Sequence, residues 1–194
     1  KIQEEEAERA NKYGYSKHKP ANPLYDLKDV EKTLEHFTEI KIDEWIDFGN
    51  EIKVRFQPNG HIIGSAFIEI NISPKGQAGK RFVFSGDVGQ ENDLLMFPPK
   101  RPQEADVLFV ESTYGDRLHP KENIQERLKK IILETIGKGG SLIIPSFAIE
   151  RTQTLMYLIW QLRKSGSIPE IPFIMDSPMG ANVLDVFLKY KSWQ

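Results

Sequence analysis

The sequence predicts an α/β chain close to the α+β boundary, and three observations carry that expectation. Helical pattern and charge dominate the first 37 residues, strand-like alternation dominates residues 38–110, and helices alternate with strands from about Tyr114 onward. Strands that alternate with helices imply a parallel sheet with covered faces.

Within the first stretch, Ile2 to Ala10 lacks an apolar stripe, and its run of glutamates reads as a solvated helix face. Asp26 is placed to cap a second helix running through Val30, Leu34 and Phe37, with Pro20 and Pro23 interrupting the two. Alternation then marks Glu51–Phe56 as a strand. Ile68, Ile70 and Ile72 alternate with Phe67, Glu69 and Asn71, the period of two expected of another. The turn-rich segment Ser73 to Gly79 leads into Arg81–Phe84, so the two runs predict an antiparallel hairpin, and Asp106–Val110 predicts a further strand.

In the last third, Ile124, Leu128, Ile131 and Thr135 mark one helical face ending at Gly137. Leu155, Leu158, Ile159 and Leu162 mark a second helix. Ser141–Pro145 and Ile171–Met175 read as buried strands, and Ser177-Pro178 reads as a capped helix start with proline at the first helical position. No internal repeat or low-complexity segment interrupts this order.

Composition narrows the chemistry. With 39% hydrophobic residues in 194, the chain can bury a real core. A formal charge of −2 supplies no bulk attraction to nucleic acid, although a groove on a neutral protein can be locally positive. The absence of cysteine excludes a disulfide framework and thiolate metal ligation, leaving nitrogen and oxygen ligands. No apolar run nears the roughly 20 residues that span a bilayer, and no signal peptide is visible, so no membrane partner and a cytoplasmic location are expected. Lys1 stands in place of Met and the chain stops directly after an apparent helix, which suggests that both termini were cut from something longer.

The chemistry-bearing residues follow from the hairpin. His61, before its first strand, and Asp87, after its second, should lie at one sheet edge, where imidazole and carboxylate suit zinc and its neighbours. Taken singly, a histidine or a Gly-Asp turn is more often structural. Glu111 follows the strand 107–110 at its carboxyl end, where open α/β sheets bind ligands, and could orient a histidine or position a water; a capping or surface glutamate is the commoner case. Arg151 falls in the first turn of its helix, where the dipole disfavours cations, so either a bound anion or a salt bridge to Glu150 or another acid would explain it.

Four segments in order carry a resemblance: His61-Ile62-Ile63-Gly64-Ser65-Ala66, Phe84-Ser85-Gly86-Asp87-Val88-Gly89, Glu111-Ser112-Thr113-Tyr114-Gly115-Asp116-Arg117, and Ile144-Pro145-Ser146-Phe147-Ala148-Ile149-Glu150-Arg151-Thr152-Gln153. They resemble consecutive motifs of the β-CASP branch of the metallo-β-lactamase superfamily, a group of RNA-processing nucleases, and Asp176-Ser177-Pro178-Met179 resembles the bacterial members. The resemblance implies that residues 1–113 form the C-terminal part of the first metallo-β-lactamase segment, within an αββα sandwich. It implies that residues 114–194 form the N-terminal part of a β-CASP α/β domain with a parallel sheet.

It also implies roles. His61 matches a metal-ligand histidine, Asp87 the catalytic aspartate that bridges two zinc ions, and Glu111 the catalytic acid that supports an assisting histidine. Arg151 and Ser177 are substrate-binding candidates. Glu150 replaces a glycine usual in the family, and His18, His36 and His119 match no ligand motif, the first two expected to be exposed. The family's His-x-His-x-Asp-His motif does not occur in this chain. Zinc normally takes about four ligands, so the resemblance implies a zinc-dependent ribonuclease as the parent protein and an inactive chain by itself. Single-stranded RNA is the implied partner, and a homodimer is compatible with the family. A metallo-hydrolase of a small ester or thioester, or a non-catalytic scaffold of a nuclease complex, are the competing readings.

Overall fold

The computed structural model describes residues 2–118 and 120–190; His119 lies outside them. Two compact units divide the chain, Lys1–Lys41 and Ile42–Gln194.

The first unit holds α1 (Ile2–Tyr13) and α2 (Leu27–Leu34). Ala7 and Ala10 are the buried residues of α1, while Glu5, Glu6 and Glu8 are exposed and Glu4 is half-buried. Asp26 caps α2 as expected: its carboxylate accepts from the Asp29 amide, and Asp29 reaches back to the Asp26 amide. This reciprocal box satisfies two amides that the helix start would otherwise leave without partners.

The second unit opens with a five-stranded sheet in sequential order: β1 (Ile46–Asp47), β2 (Ile52–Pro58), β3 (Ala66–Ile72), β4 (Lys80–Phe84) and β5 (Val107–Phe109). Strands β1 to β4 pair antiparallel, and β5 joins β4 in parallel. The predicted hairpin is therefore present, with Ile68 opposite Phe84 and Ile70 opposite Phe82.

The burial of that hairpin has an unexpected side. The three isoleucines are only half-buried, whereas Phe67, Glu69 and Val83 on the opposite face are almost fully enclosed. Glu69 survives there because Arg55, directly across the β2–β3 ladder, and Gln57 donate to its Oε2 at 2.5 and 2.6 Å. A buried carboxylate needs such partners to offset the loss of water. Trp45 lies against the Arg55 guanidinium, which is 4.6 Å from the ring centre.

Three helices follow, α3 (Ile124–Gly137), α4 (Arg151–Lys164) and α5 (Pro178–Lys189). Leu128 and Ile132 of α3 pack with Leu158, Ile159 and Leu162 of α4 and with Ile168 in one apolar cluster. The stripe predicted for α3 is rotated: Ile124 and Ile131 are exposed, and Ile132 and Ile136 take the inner positions. Several apolar residues in one helix allow more than one face, and packing against α4 chooses between them.

The parallel sheet expected of this region is not found among the described residues. Ser141–Pro145 and Ile171–Met175 make no ladder pairs, and Ile143 and Ile174 are 85% and 83% exposed. An apolar run becomes a strand only when a neighbouring strand supplies hydrogen-bond partners, and among the described residues the one parallel pair is β4 with β5. The α/β class stands, with a mixed sheet and helices. No helix among the described residues is long and apolar enough to cross a membrane.

Candidate metal centre

Strand directions bring three loops to one edge of the sheet. Residues 59–65 connect β2 to β3, residues from Ser85 follow β4, and residues from Val110 follow β5, which runs parallel to β4. His61 belongs to the first loop, Asp87 to the second and Glu111 to the third.

A buried asparagine joins the first two loops. Asn59 is 3% exposed; its Nδ2 donates to the Ser85 carbonyl at 3.0 Å, its Oδ1 accepts from the His61 amide at 3.4 Å, and its carbonyl accepts from the Gly89 amide at 2.8 Å. Close approach here requires glycine. A Cβ on Gly89 would stand 1.9 Å from the Gly60 carbonyl oxygen, and one on Gly60, at φ +70°, would meet the Phe97 carbonyl at 2.7 Å.

Ser85 ties in the third loop. Its amide donates to the Phe109 carbonyl at 2.9 Å, and its Oγ accepts from the Glu111 amide at 3.0 Å. Glu111 Oε1 in turn accepts from the Val88 amide at 2.9 Å, and Oε2 accepts from the Thr113 amide at 3.2 Å. The bond from Val88, those from Thr113, and the nearby His61 charge hold the Glu111 carboxyl below the ordinary glutamate range. Glu111 is therefore a fixed anion with both oxygens engaged.

His61 and Asp87 meet as the hairpin predicts. His61 Nε2 stands 3.7 Å from Asp87 Oδ2, with the side chains 45% and 77% exposed. This is too long for a direct hydrogen bond. Two ligands of one tetrahedral ion, each about 2.1 Å from it, lie roughly 3.4 Å apart, so the pair fits two positions of a shared nitrogen–oxygen site. Among the described residues no third histidine, aspartate or glutamate completes a metal-ligating group with them. The donor set fits an ion, but only as part of its shell.

Asn59, Ser85 and Gly89 hold these loops together, a role that the motif sequence does not assign to them. Asn59-Gly60 is a turn dipeptide, and Ser85 and Gly89 flank the Gly-Asp turn, so a local signal existed. Their joint role depends on contacts across the sheet edge.

The substrate-binding candidates are placed elsewhere on the chain. Arg151 opens α4 as expected, but the anticipated salt bridge to Glu150 does not form: Glu150 Oε1 accepts from Thr154 Oγ1 at 2.8 Å, and among the described residues Arg151 makes no ion pair. Glu150 itself has φ +67° and ψ −57°, and the Arg151 amide bonds the Ile149 carbonyl at 2.8 Å, closing a tight three-residue turn. Ser177 caps α5, its Oγ accepting from the Gly180 amide at 3.0 Å, with Pro178 first in the helix. No hydrogen bond or ion pair among the described residues links Arg151 or Ser177 to the His61 edge. His18 and His36 are exposed, as expected.

Comparison with known proteins agrees with the ordered motifs. The Beta-Casp domain family matches residues 152–194. A ribonuclease of Thermus thermophilus, TTHA0252, is 34% identical over 85% of this chain and 37% of its own length. The chain belongs to the β-CASP branch of the metallo-β-lactamase superfamily. An RNase J-like protein of Methanocaldococcus jannaschii is 31% identical over 87% of this β-CASP chain and 40% of its own length. Subunit 3-I of the cleavage and polyadenylation specificity factor of Arabidopsis thaliana is 29% identical over 86% of the chain and 24% of its own length. The chain thus spans from about a quarter to two fifths of these relatives.

Proposed function

We propose that this β-CASP chain is part of a zinc-dependent nuclease that hydrolyses phosphodiester bonds in single-stranded RNA, with residues 1–113 in its metallo-β-lactamase part and 114–194 in its β-CASP part. The observation that carries the proposal is the gathering of His61, Asp87 and Glu111 at one sheet edge by the Asn59 and Ser85 hydrogen bonds. The names of the relatives support RNA as the substrate class.

His61 Nε2 and an Asp87 oxygen would hold zinc, Asp87 having a second oxygen with which to reach another ion. Zinc supplies Lewis-acid activation of water and of the phosphodiester. The chain's own residues do the rest of what is seen here. Asn59 Oδ1 accepts from the His61 amide and ties the His61 backbone into the loop; Glu111, kept anionic by the Val88 amide, presents a fixed charge at the same sheet edge, where it would support an assisting histidine supplied by the parent protein. Arg151, without an ion-pair partner among the described residues at the positive end of α4, offers a phosphate contact, and the Ser177 hydroxyl keeps a hydrogen to donate while it caps α5.

Two side chains are too few for tight zinc binding, so this chain alone is inactive in the proposal. The parent works in the cytoplasm and forms a homodimer. The test uses the parent protein, its metal content and its cleavage of single-stranded RNA against a small carboxylic ester. Wild type cleaves RNA, whereas Asp87→Asn and His61→Ala lose metal and RNA cleavage together. A zinc-loaded parent that leaves RNA intact and opens the ester would replace the proposal with a small-ester hydrolase.

A further inference from the structure

We infer that the outer side of α4 is a stacking platform for single-stranded RNA, separate from the His61 edge. Trp160 is 51% exposed, although α4 already buries Leu158, Ile159 and Leu162, so the core does not account for the indole. Tyr157 stacks beside it at 5.8 Å between ring centres, and the Lys164 ammonium stands 4.7 Å from the Trp160 ring centre. Trp160 and Phe173, itself 43% exposed, line one groove of about 620 Å³ with Met156, Ile159, Arg163 and Lys164.

The chemistry of that groove selects its occupant. Open aromatic faces beside cations are how proteins hold single strands without reading sequence: bases stack on the rings and the backbone phosphates meet the cations. Arg163 is paired with the groove's carboxylate, Glu170, at 2.6 Å, while Lys164 makes no ion pair among the described residues. The groove therefore keeps an excess positive charge, complementary to a polyanion. Both cations also sit in the last turn of α4, whose dipole favours them there. An apolar protein segment would leave Lys164 uncompensated, and duplex RNA hides its base faces, so a single strand suits both features.

The inference rests on the nuclease reading for RNA as the ligand, but it needs neither metal nor cleavage. The test is therefore fluorescence anisotropy of a labelled single-stranded RNA of roughly 12 nucleotides, titrated with this chain in EDTA at about 50 mM salt. Binding is expected to weaken about 10-fold in Trp160→Ala, to persist in Trp160→Phe, and in Lys164→Ala to weaken with a salt slope reduced by about 1. Phe173→Ala gives an independent weakening, with circular dichroism confirming that each variant is folded. No binding, equal binding by folded Trp160→Ala and Phe173→Ala, or equal binding of a duplex would each overturn the platform. So would Trp160-dependent self-association without RNA binding. None of these outcomes touches the nuclease proposal, and a parent that fails to cleave RNA would leave measured oligonucleotide binding standing.

Discussion

Gly89→Ala should damage the candidate centre without altering any of its side chains. The added Cβ would lie 1.9 Å from the Gly60 oxygen, 2.1 Å from its carbonyl carbon and 2.6 Å from the His61 nitrogen, against a closest tolerated approach of 3.0 Å. All three are backbone atoms, so no side chain can swing aside, and the loops must part by about 1 Å (3.0 − 1.9). Overpacking of this kind costs about 1–3 kcal/mol. Parting also stretches the 2.8 Å bond from the Gly89 amide to the Asn59 carbonyl, worth about 1 kcal/mol. Together these give about 3 kcal/mol, or a fall in melting temperature of roughly 6–12 °C for a chain of this size. Urea and thermal unfolding measure the loss, and amide exchange at residues 59–65 and 85–89 locates it. Gly137→Ala is the control: its Cβ meets nothing within 4 Å, in a helix where alanine gains up to about 1 kcal/mol over glycine. A Gly89→Ala chain within about 0.5 kcal/mol of wild type would refute the close-approach argument.

Other outcomes follow from the same contacts. Glu150→Gly relieves a backbone conformation that costs about 1–3 kcal/mol for a residue with a side chain and loses a hydrogen bond worth about 1 kcal/mol, so urea denaturation should show a stability gain of about 1 kcal/mol; a loss would mean that the turn is unstrained. Glu69→Ala strands the Arg55 guanidinium and should cost about 3–5 kcal/mol, while Glu69→Gln keeps an acceptor and costs less; a neutral alanine variant in the same unfolding assay would contradict the buried pairing. For Glu111, whose folded pKa is lowered, the stabilisation is fully present above the unfolded value of about 4.3 and is lost as pH falls through the folded value. Carbon-detected NMR of its carboxyl group should therefore titrate below that value, and a midpoint at or above it would dissolve the account of Glu111 as a fixed anion.

What was legible in the sequence is what neighbours along the chain decide. The Asp26 and Ser177 caps each close within three residues, so capping chemistry alone locates those helix starts. The period of two in Phe67–Ile72 and the turn before Arg81 specify the hairpin, and with it the meeting of His61 and Asp87. Tertiary structure decided the rest. Which face of α3 turns inward depends on Leu158 and Leu162 of another helix, and Ser141–Pro145 and Ile171–Met175 have strand-like composition but, among the described residues, no strand beside them. The Asn59 bond to Ser85 spans 26 positions and the Glu111 bond to Val88 spans 23. Periodicity and capping are properties of a single segment, whereas a hydrogen bond between loops exists only once the sheet has set their distance.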